Sequence, residues 1–140
     1  MARIITRSAE VRVEFRHVDM MQVVHNSHYI AWFEIGRLAV LEEVFPMSWA
    51  VEHRIATPVV VNHCEYLWPA TYGDALVVIT RHKLLDRWEG RFLFDHAISH
   101  LDTKRELAVG TSAVTVVDMA AQKPVKEIPP EIWARYAALE

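Results

Sequence analysis

The segment from Tyr29 to about Phe45 limits the possible folds most, because apolar residues cover most of its helical wheel. The charged residues that interrupt it are Glu34, Arg37, Glu42 and Glu43. A helix that is apolar nearly all round has to be surrounded by other structure, since its side chains would otherwise face water. Asn26 or Ser27 can cap its start, and Pro46 ends it because proline cannot continue the hydrogen-bond ladder. The rest of the chain must therefore wrap this helix.

The remaining sequence is rich in strand patterns. Val11, Val13 and Phe15 alternate with charged residues, the period-two pattern of a half-buried first strand. Four longer strand-like segments are joined by turns short enough for antiparallel neighbours, and they cover residues 59–68, 75–85, 88–100 and 106–118. A short helical turn is predicted over 49–53 and a final helix over 131–139. Together these elements predict an α+β fold, with a long curled antiparallel sheet of about five strands wrapped round one central helix and a short C-terminal helix.

Length and composition narrow the class of protein. A chain of 140 residues fits one domain, 1–140, and its net charge of −3 creates no field that would attract nucleic acid or an anionic membrane. Cys64 is the only cysteine, so no intrachain disulfide can form. No stretch approaches the roughly 20 apolar residues of a membrane span. We therefore expect a cytoplasmic protein without nucleic-acid or membrane partners.

The predicted sheet has two faces, and one helix covers only one of them. The strands are rich in Val, Leu and Phe, so the other face must find a partner. A homodimer or a dimer of dimers is the simplest way to provide one.

Two motifs connect the strands and the helix to a known family. The first runs from Val18 to Arg37 as V-D-x-x-x-V-V-H-N-x-x-Y-I-x-W-F-E-x-x-R, and the second from Glu65 to Asp74 as E-Y-x-x-P-A-x-Y-G-D. With its order of strands and helix, the chain resembles the hotdog-fold acyl-CoA thioesterases, in particular the 4-hydroxybenzoyl-CoA thioesterase-like family. The resemblance implies hydrolysis of an acyl-CoA thioester to a free carboxylic acid and coenzyme A. It implies no separate cofactor, because coenzyme A is part of the substrate.

The resemblance also assigns catalytic roles. An acid in the loop before the central helix is catalytic in the family, and Asp19 holds that position here, as general base or nucleophile. The backbone N–H groups at the helix start, around His25 and Asn26, would stabilise the oxyanion. The family often has glycine three residues after the acid, where this chain has Gln22. Glutamine adopts the backbone angles open to glycine only reluctantly.

Other residues of this stretch have both a functional and a structural interpretation. The structural alternative is that Asp19 forms a turn, His25 makes a local hydrogen bond and Asn26 caps the helix, but the motif favours the catalytic role for Asp19. Glu34 is a second catalytic candidate, but it most simply pairs with Arg37 one turn later. The candidate substrate-binding residues are Met20, Met21, Gln22 and Tyr29. No metal site is predicted, because no third ligand is placed near His25 and His28.

Two alternatives to an acyl-CoA thioesterase stay open. One is a thioesterase that acts on acyl carrier protein, and the other is a non-catalytic acyl-CoA-binding module. Several basic residues on or near strand ends could meet the coenzyme phosphates, and the sequence favours no one of them. They are Arg81, Lys83, Arg87, Arg91, Lys104 and Arg105.

Overall fold

The computed structural model describes residues 3–139. The strands are β1 (Arg3–Arg12), β2 (Ile55–Ala56), β3 (Val59–Tyr66), β4 (Ala75–Leu84), β5 (Phe92–His100), β6 (Glu106–Val114), β7 (Val117–Asp118) and β8 (Lys123–Pro124). The helices are α1 (Ser27–Val44), α2 (Met47–His53) and α3 (Pro130–Ala138). None of the helices in this part of the chain is long and apolar enough to cross a membrane.

One antiparallel sheet packs on the central helix. Its strand order is β1-β4-β5-β6-β3, and α1 packs across this sheet, most closely on β1 and β4. A small second sheet has the strand order β2-β7-β8, and its strand β2 packs against α2. The predicted α+β hotdog architecture is therefore confirmed. The second sheet was not predicted, because strands of only two residues are too short to show a pattern in the sequence.

Small residues let α1 lie directly on the sheet. A Cβ atom at Gly36 of the helix would collide with the side-chain oxygen of Thr80 on β4. A Cβ atom at Gly110 on β6 would collide with the ring of Phe33 and with the backbone of β3. Phe33 is fully buried and stacks on His96 of β5, with ring centroids 4.4 Å apart. These close approaches fix how α1 lies across the strands.

A polar network is buried under this helix. His96 Nδ1 lies 2.8 Å from Thr80 Oγ1, and His96 Nε2 lies 2.7 Å from Ser112 Oγ. Arg37 donates a long hydrogen bond of 3.4 Å to the same Ser112 hydroxyl and lies 3.9 Å from Glu34. Glu34 is exposed, and the other four side chains of the network are buried. Burial, and secondly the charge of Arg37, lower the pKa of His96 from 6.5 to about 4, so its imidazole is neutral at pH 7.

The first strand differs from its prediction. It runs over Arg3–Arg12 rather than over 11–15, and Phe15 lies in a short 3₁₀ turn with 81% of its surface exposed. Pairing with β4 along ten residues determines the observed strand. Its inward positions include Arg7, which pairs with Glu43 of α1, so the strand lacks a clean apolar alternation. The position of β1 therefore depends on its pairing with β4, which is distant in sequence, and the local residue pattern does not show it.

The prediction that α1 is wrapped all round also needs correction. Ile35 and Leu38 are 38% and 40% exposed, so one side of the helix stays open within the chain. The helix begins at Ser27 and ends before Pro46, as expected, but neither the Asn26 nor the Ser27 side chain caps its N–H groups. The Glu34–Arg37 pair forms as predicted.

Candidate active site

Asp19 lies at the first position of a tight hairpin that precedes α1. Val18 and Val24 form an antiparallel bridge, and the Asp19 N–H donates to the Val23 carbonyl at 3.0 Å. The Asp19 Oδ1 atom accepts a hydrogen bond from the Met21 N–H at 2.8 Å. This is the turn-forming role that short acidic side chains often have. For the other carboxylate oxygen, Oδ2, no partner is found among residues 3–139.

Gln22 holds the position where the family often has glycine. Its φ angle is 66°, which is the left-handed region that glycine favours. The Gln22 N–H donates to the Asp19 carbonyl at 2.9 Å, so the turn closes with a left-handed residue at its end. Gln22 therefore adopts a left-handed conformation that glycine takes readily, at the energetic cost of a non-glycine residue there.

The start of α1 is capped by a histidine ring. The Ser27 N–H donates to His25 Nδ1 at 3.2 Å, and the Ser27 hydroxyl lies 2.8 Å from the same nitrogen. The His25 N–H donates to the His17 carbonyl at 2.9 Å. Among the described residues the Asn26 N–H has no acceptor. Of the two backbone donors predicted around His25 and Asn26, the one at Asn26 is free to meet a ligand.

Three residues that the sequence did not single out hold this loop in place. His17 is buried, accepts from the Glu14 N–H at 2.8 Å and holds His25 through its own carbonyl. The Ala70 carbonyl accepts from the Val24 N–H at 2.9 Å, and the Tyr66 hydroxyl donates to the Asn26 carbonyl at 3.1 Å. Tyr66 and Ala70 belong to the second motif, which was recognised in the sequence, but the motif did not indicate that these residues hold the loop before α1.

Burial affects the titration of the groups around the helix start. Burial, and secondly the nearby Arg16, lower the pKa of His17, so this imidazole stays neutral and can accept the Glu14 N–H. Its ring packs edge-on against His28, with centroids 4.8 Å apart. No cluster of three or more histidine, cysteine, aspartate or glutamate side chains within reach of one metal ion occurs in residues 3–139.

The predicted substrate-binding residues lie in different surroundings. Met20 and Met21 are 100% and 77% exposed on the hairpin, and Gln22 is exposed beside them. Tyr29 is buried, and its oxygen accepts from the Ala70 N–H at 3.3 Å. Glu34 is exposed on α1, about 10 Å along the helix from its first residue. Tyr29 and Asn26 therefore lie close together, whereas Met20 and Met21 project into solvent and line no pocket with them.

A pocket of about 280 Å³ opens beside the helix start. Its walls come from the end of α1 that carries the free N–H and from the segment after β3. The lining residues are Val24, Asn26, Tyr29, Tyr66, Leu67, Trp68 and Pro69. A larger cavity of about 580 Å³ lies at the other end of α1, against α2, and none of the predicted site residues lines it. Of these two pockets, only the smaller one is lined by predicted site residues, namely Asn26 and Tyr29.

The family model for the thioesterase-like superfamily matches residues 13–136, nearly the whole chain. The chain belongs to the thioesterase-like superfamily. This confirms the resemblance seen in the sequence and places the chain among the thioester hydrolases.

Individual relatives agree with this membership. A Bacillus subtilis (strain 168) protein named "Putative acyl-CoA thioesterase YneP" is 28% identical over 119 residues, which is 84% of this chain and 83% of the relative. The long-chain acyl-CoA thioesterase FadM of Escherichia coli (strain K12) is 30% identical over 81 residues, 58% of this chain and 61% of the relative. The crystal structure of Slr0204, a 1,4-dihydroxy-2-naphthoyl-CoA thioesterase from Synechocystis, shares the fold with a TM-score of 0.79 at 20% identity, covering 96% of this chain and 97% of the other.

Proposed function

We propose that this thioesterase-like protein hydrolyses an acyl-CoA thioester to a carboxylic acid and coenzyme A. The observation that carries the proposal is the arrangement at the start of α1. A half-buried carboxylate, Asp19, and a free backbone N–H, that of Asn26, belong to one loop that hydrogen bonds hold to the end of an 18-residue helix. Hydrolysis of a thioester is accelerated by such a pair, a carboxylate that activates the attacking group and an N–H that stabilises the oxyanion.

Asp19 is proposed as the group that activates the attack. Its Oδ1 atom is engaged by the Met21 N–H, which orients the carboxylate and leaves Oδ2 for chemistry. As a base, Asp19 takes a proton from water, the hydroxide attacks the thioester carbon, and the C–S bond breaks to release the thiolate. As a nucleophile, Oδ2 attacks the same carbon and releases the thiolate, and water then hydrolyses the mixed anhydride. Both sequences give the same products.

The Asn26 N–H is proposed as the oxyanion donor. It lies at the N-terminal end of α1, where unpaired N–H groups and the helix dipole favour negative charge. The Tyr66 hydroxyl bonded to the Asn26 carbonyl fixes the same peptide segment from the other side. His25 serves the loop as a cap, so we assign it a positioning role.

Release of free thiol from a panel of acyl-CoAs tests the proposed activity. The relatives' names include long-chain and dihydroxynaphthoyl substrates, so the panel should contain short, long and aromatic acyl groups. We expect steady thiol release from at least one member at neutral pH. Coenzyme binding without thiol release from any member would favour the binding-module alternative. Thiol release only from an acylated acyl carrier protein would favour the other alternative, a thioesterase that acts on acyl carrier protein.

The protein is also proposed to form a homodimer through β3. In residues 3–139 this strand pairs only with β6, so its other edge is free. Val60, Val61 and Tyr66 on it are 43%, 43% and 48% exposed. A long apolar edge strand is a ready site for pairing with a second chain, whereas the opposite edge, β1, carries several arginines.

Sedimentation tests the dimer. We expect twice the chain mass of 16.2 kDa at micromolar concentration. Replacing Val61 with lysine should shift the protein to the monomer, because the new charge would be buried between the chains. Ile4→Lys is the matched control and should leave the dimer intact, because Ile4 is 51% exposed and lies on β1, the opposite edge of the sheet. A monomeric wild type would overturn this part of the proposal.

A further inference from the structure

We propose that Arg105, stacked on Trp68, binds the phosphate groups of coenzyme A. This inference rests on the proposed function and names a substrate-binding residue within it. Its basis is a cationic platform at the mouth of the 280 Å³ pocket, next to the helix start where the thioester is to be held.

The platform has a defined geometry. The central carbon of the Arg105 guanidinium lies 3.5 Å from the centroid of the Trp68 ring. Trp68 is 50% exposed, and the backbone N–H groups of Leu67 and Trp68 both donate to the Leu107 carbonyl. The Trp68 backbone is therefore anchored to β6, while one face of its indole ring supports the cation. A guanidinium held flat in this way keeps its N–H donors in a fixed plane, which suits bidentate binding of phosphate.

Arg105 has no acidic partner to neutralise it. Among residues 3–139 no carboxylate lies within ion-pair distance of its guanidinium, and its side chain makes no hydrogen bond. Its backbone is fixed at the β5–β6 turn, where the Arg105 carbonyl accepts from the His100 N–H at 2.8 Å. Lys104 beside it adds a second exposed positive charge, and Asp102 and Glu106 nearby in sequence carry the opposite charge. An exposed and unpaired guanidinium on a rigid support is available to an anionic ligand.

The pocket connects this platform to the site of chemistry. Asn26, with its free N–H, and Trp68 both line this pocket. The rings of Tyr29 and Tyr66 pack edge to face on each other, with centroids 5.1 Å apart, and together form one wall of it. An open and largely apolar groove suits the pantetheine arm, which links a thioester to the phosphates of coenzyme A. With the arm in this groove, the acyl carbon would lie at the helix start and the phosphates at Arg105.

The test compares two thioesters of the same acid. One is the acyl-CoA, and the other is the acyl-pantetheine, which has the arm but no phosphate groups. For Arg105→Ala we expect the KM for acyl-CoA to rise about tenfold with kcat changed less than about twofold, since one charge-assisted contact is lost outside the reacting centre. The KM for acyl-pantetheine should stay unchanged. Trp68→Phe keeps an aromatic support and should have a smaller effect than Trp68→Ala.

The matched control is Arg135→Ala. Arg135 is also exposed, and it lies on α3, which packs against the C-terminal half of α1 and so away from the helix start. It should leave both KM values unchanged. An equal rise of KM for both thioesters in Arg105→Ala, or the same rise in Arg135→Ala, would overturn the inference.

A separate measurement covers failure of the proposed function itself. If the wild type hydrolyses neither thioester, titration calorimetry with coenzyme A decides the question. We then expect binding by the wild type and about tenfold weaker binding by Arg105→Ala. Absence of coenzyme A binding by the wild type would overturn the assignment of Arg105 whatever the enzyme does.

Discussion

Asp19→Asn is expected to lower kcat/KM for the best acyl-CoA by about a thousandfold, within the range that general acid–base groups contribute. The amide can neither accept a proton at neutral pH nor attack a carbonyl carbon. Asparagine is the cleanest replacement because its side-chain oxygen can still accept the Met21 N–H that Asp19 Oδ1 accepts. The turn, and with it the start of α1, should therefore persist. Thiol release under steady-state conditions provides the measurement.

The control for this variant is Asp86→Asn. Asp86 is exposed in the turn after β4, away from the helix start, and its replacement should leave kcat/KM within about twofold of the wild type, since distant surface changes are nearly neutral. Thermal unfolding of both variants should resemble that of the wild type. Activity that survives Asp19→Asn in a folded protein would transfer the catalytic role to another group, with Glu34 as the next candidate.

Acidification from pH 7 to pH 5 is expected to destabilise the protein through His96. Its pKa is 6.5 in the unfolded chain and about 4 when folded, because burial and Arg37 disfavour the charged ring. The unfolded state therefore binds more protons as the pH falls below 6.5. The stability that the neutral ring supplies is complete above that pH and is lost progressively down to about pH 4, by a total of about 3 kcal/mol. Burial also lowers the pKa of His82, which adds to the loss in the same direction.

Urea unfolding at fixed protein concentration between pH 7 and pH 5 measures this effect. His96→Gln removes the titrating group, while its amide can still bond to Thr80 and Ser112, so the pH dependence should become shallower. His53→Gln is the control, because His53 is exposed on α2, away from the β3 edge, and its replacement should leave the slope as in the wild type. A slope that is equal in the wild type and in His96→Gln would show that the ring is not kept neutral by the fold.

Much of the fold could be predicted because its signals are local. The apolar wheel of α1, Pro46 after it, and the alternating pattern of β5 each depend on neighbouring residues. The first strand was misplaced because residues 3–12 lack a clean apolar alternation, and pairing with β4 along ten residues determines the strand instead. Partners that lie far apart in the sequence leave no periodic pattern.

For the candidate site, the sequence determined the position of Asp19 before the helix, the presence of Gln22 in the usual glycine position, and the family. These features are contiguous in one motif. The tertiary structure alone decided that Gln22 takes the left-handed conformation, that the His25 ring caps α1, and that the N–H left free is the one at Asn26. It also brought Trp68 and Arg105 together from two different turns. The physical reason is that these features depend on contacts between segments far apart in the sequence. Such contacts decide which backbone N–H groups stay unpaired and which cation stacks on which ring, and the order of residues along the chain does not reveal them.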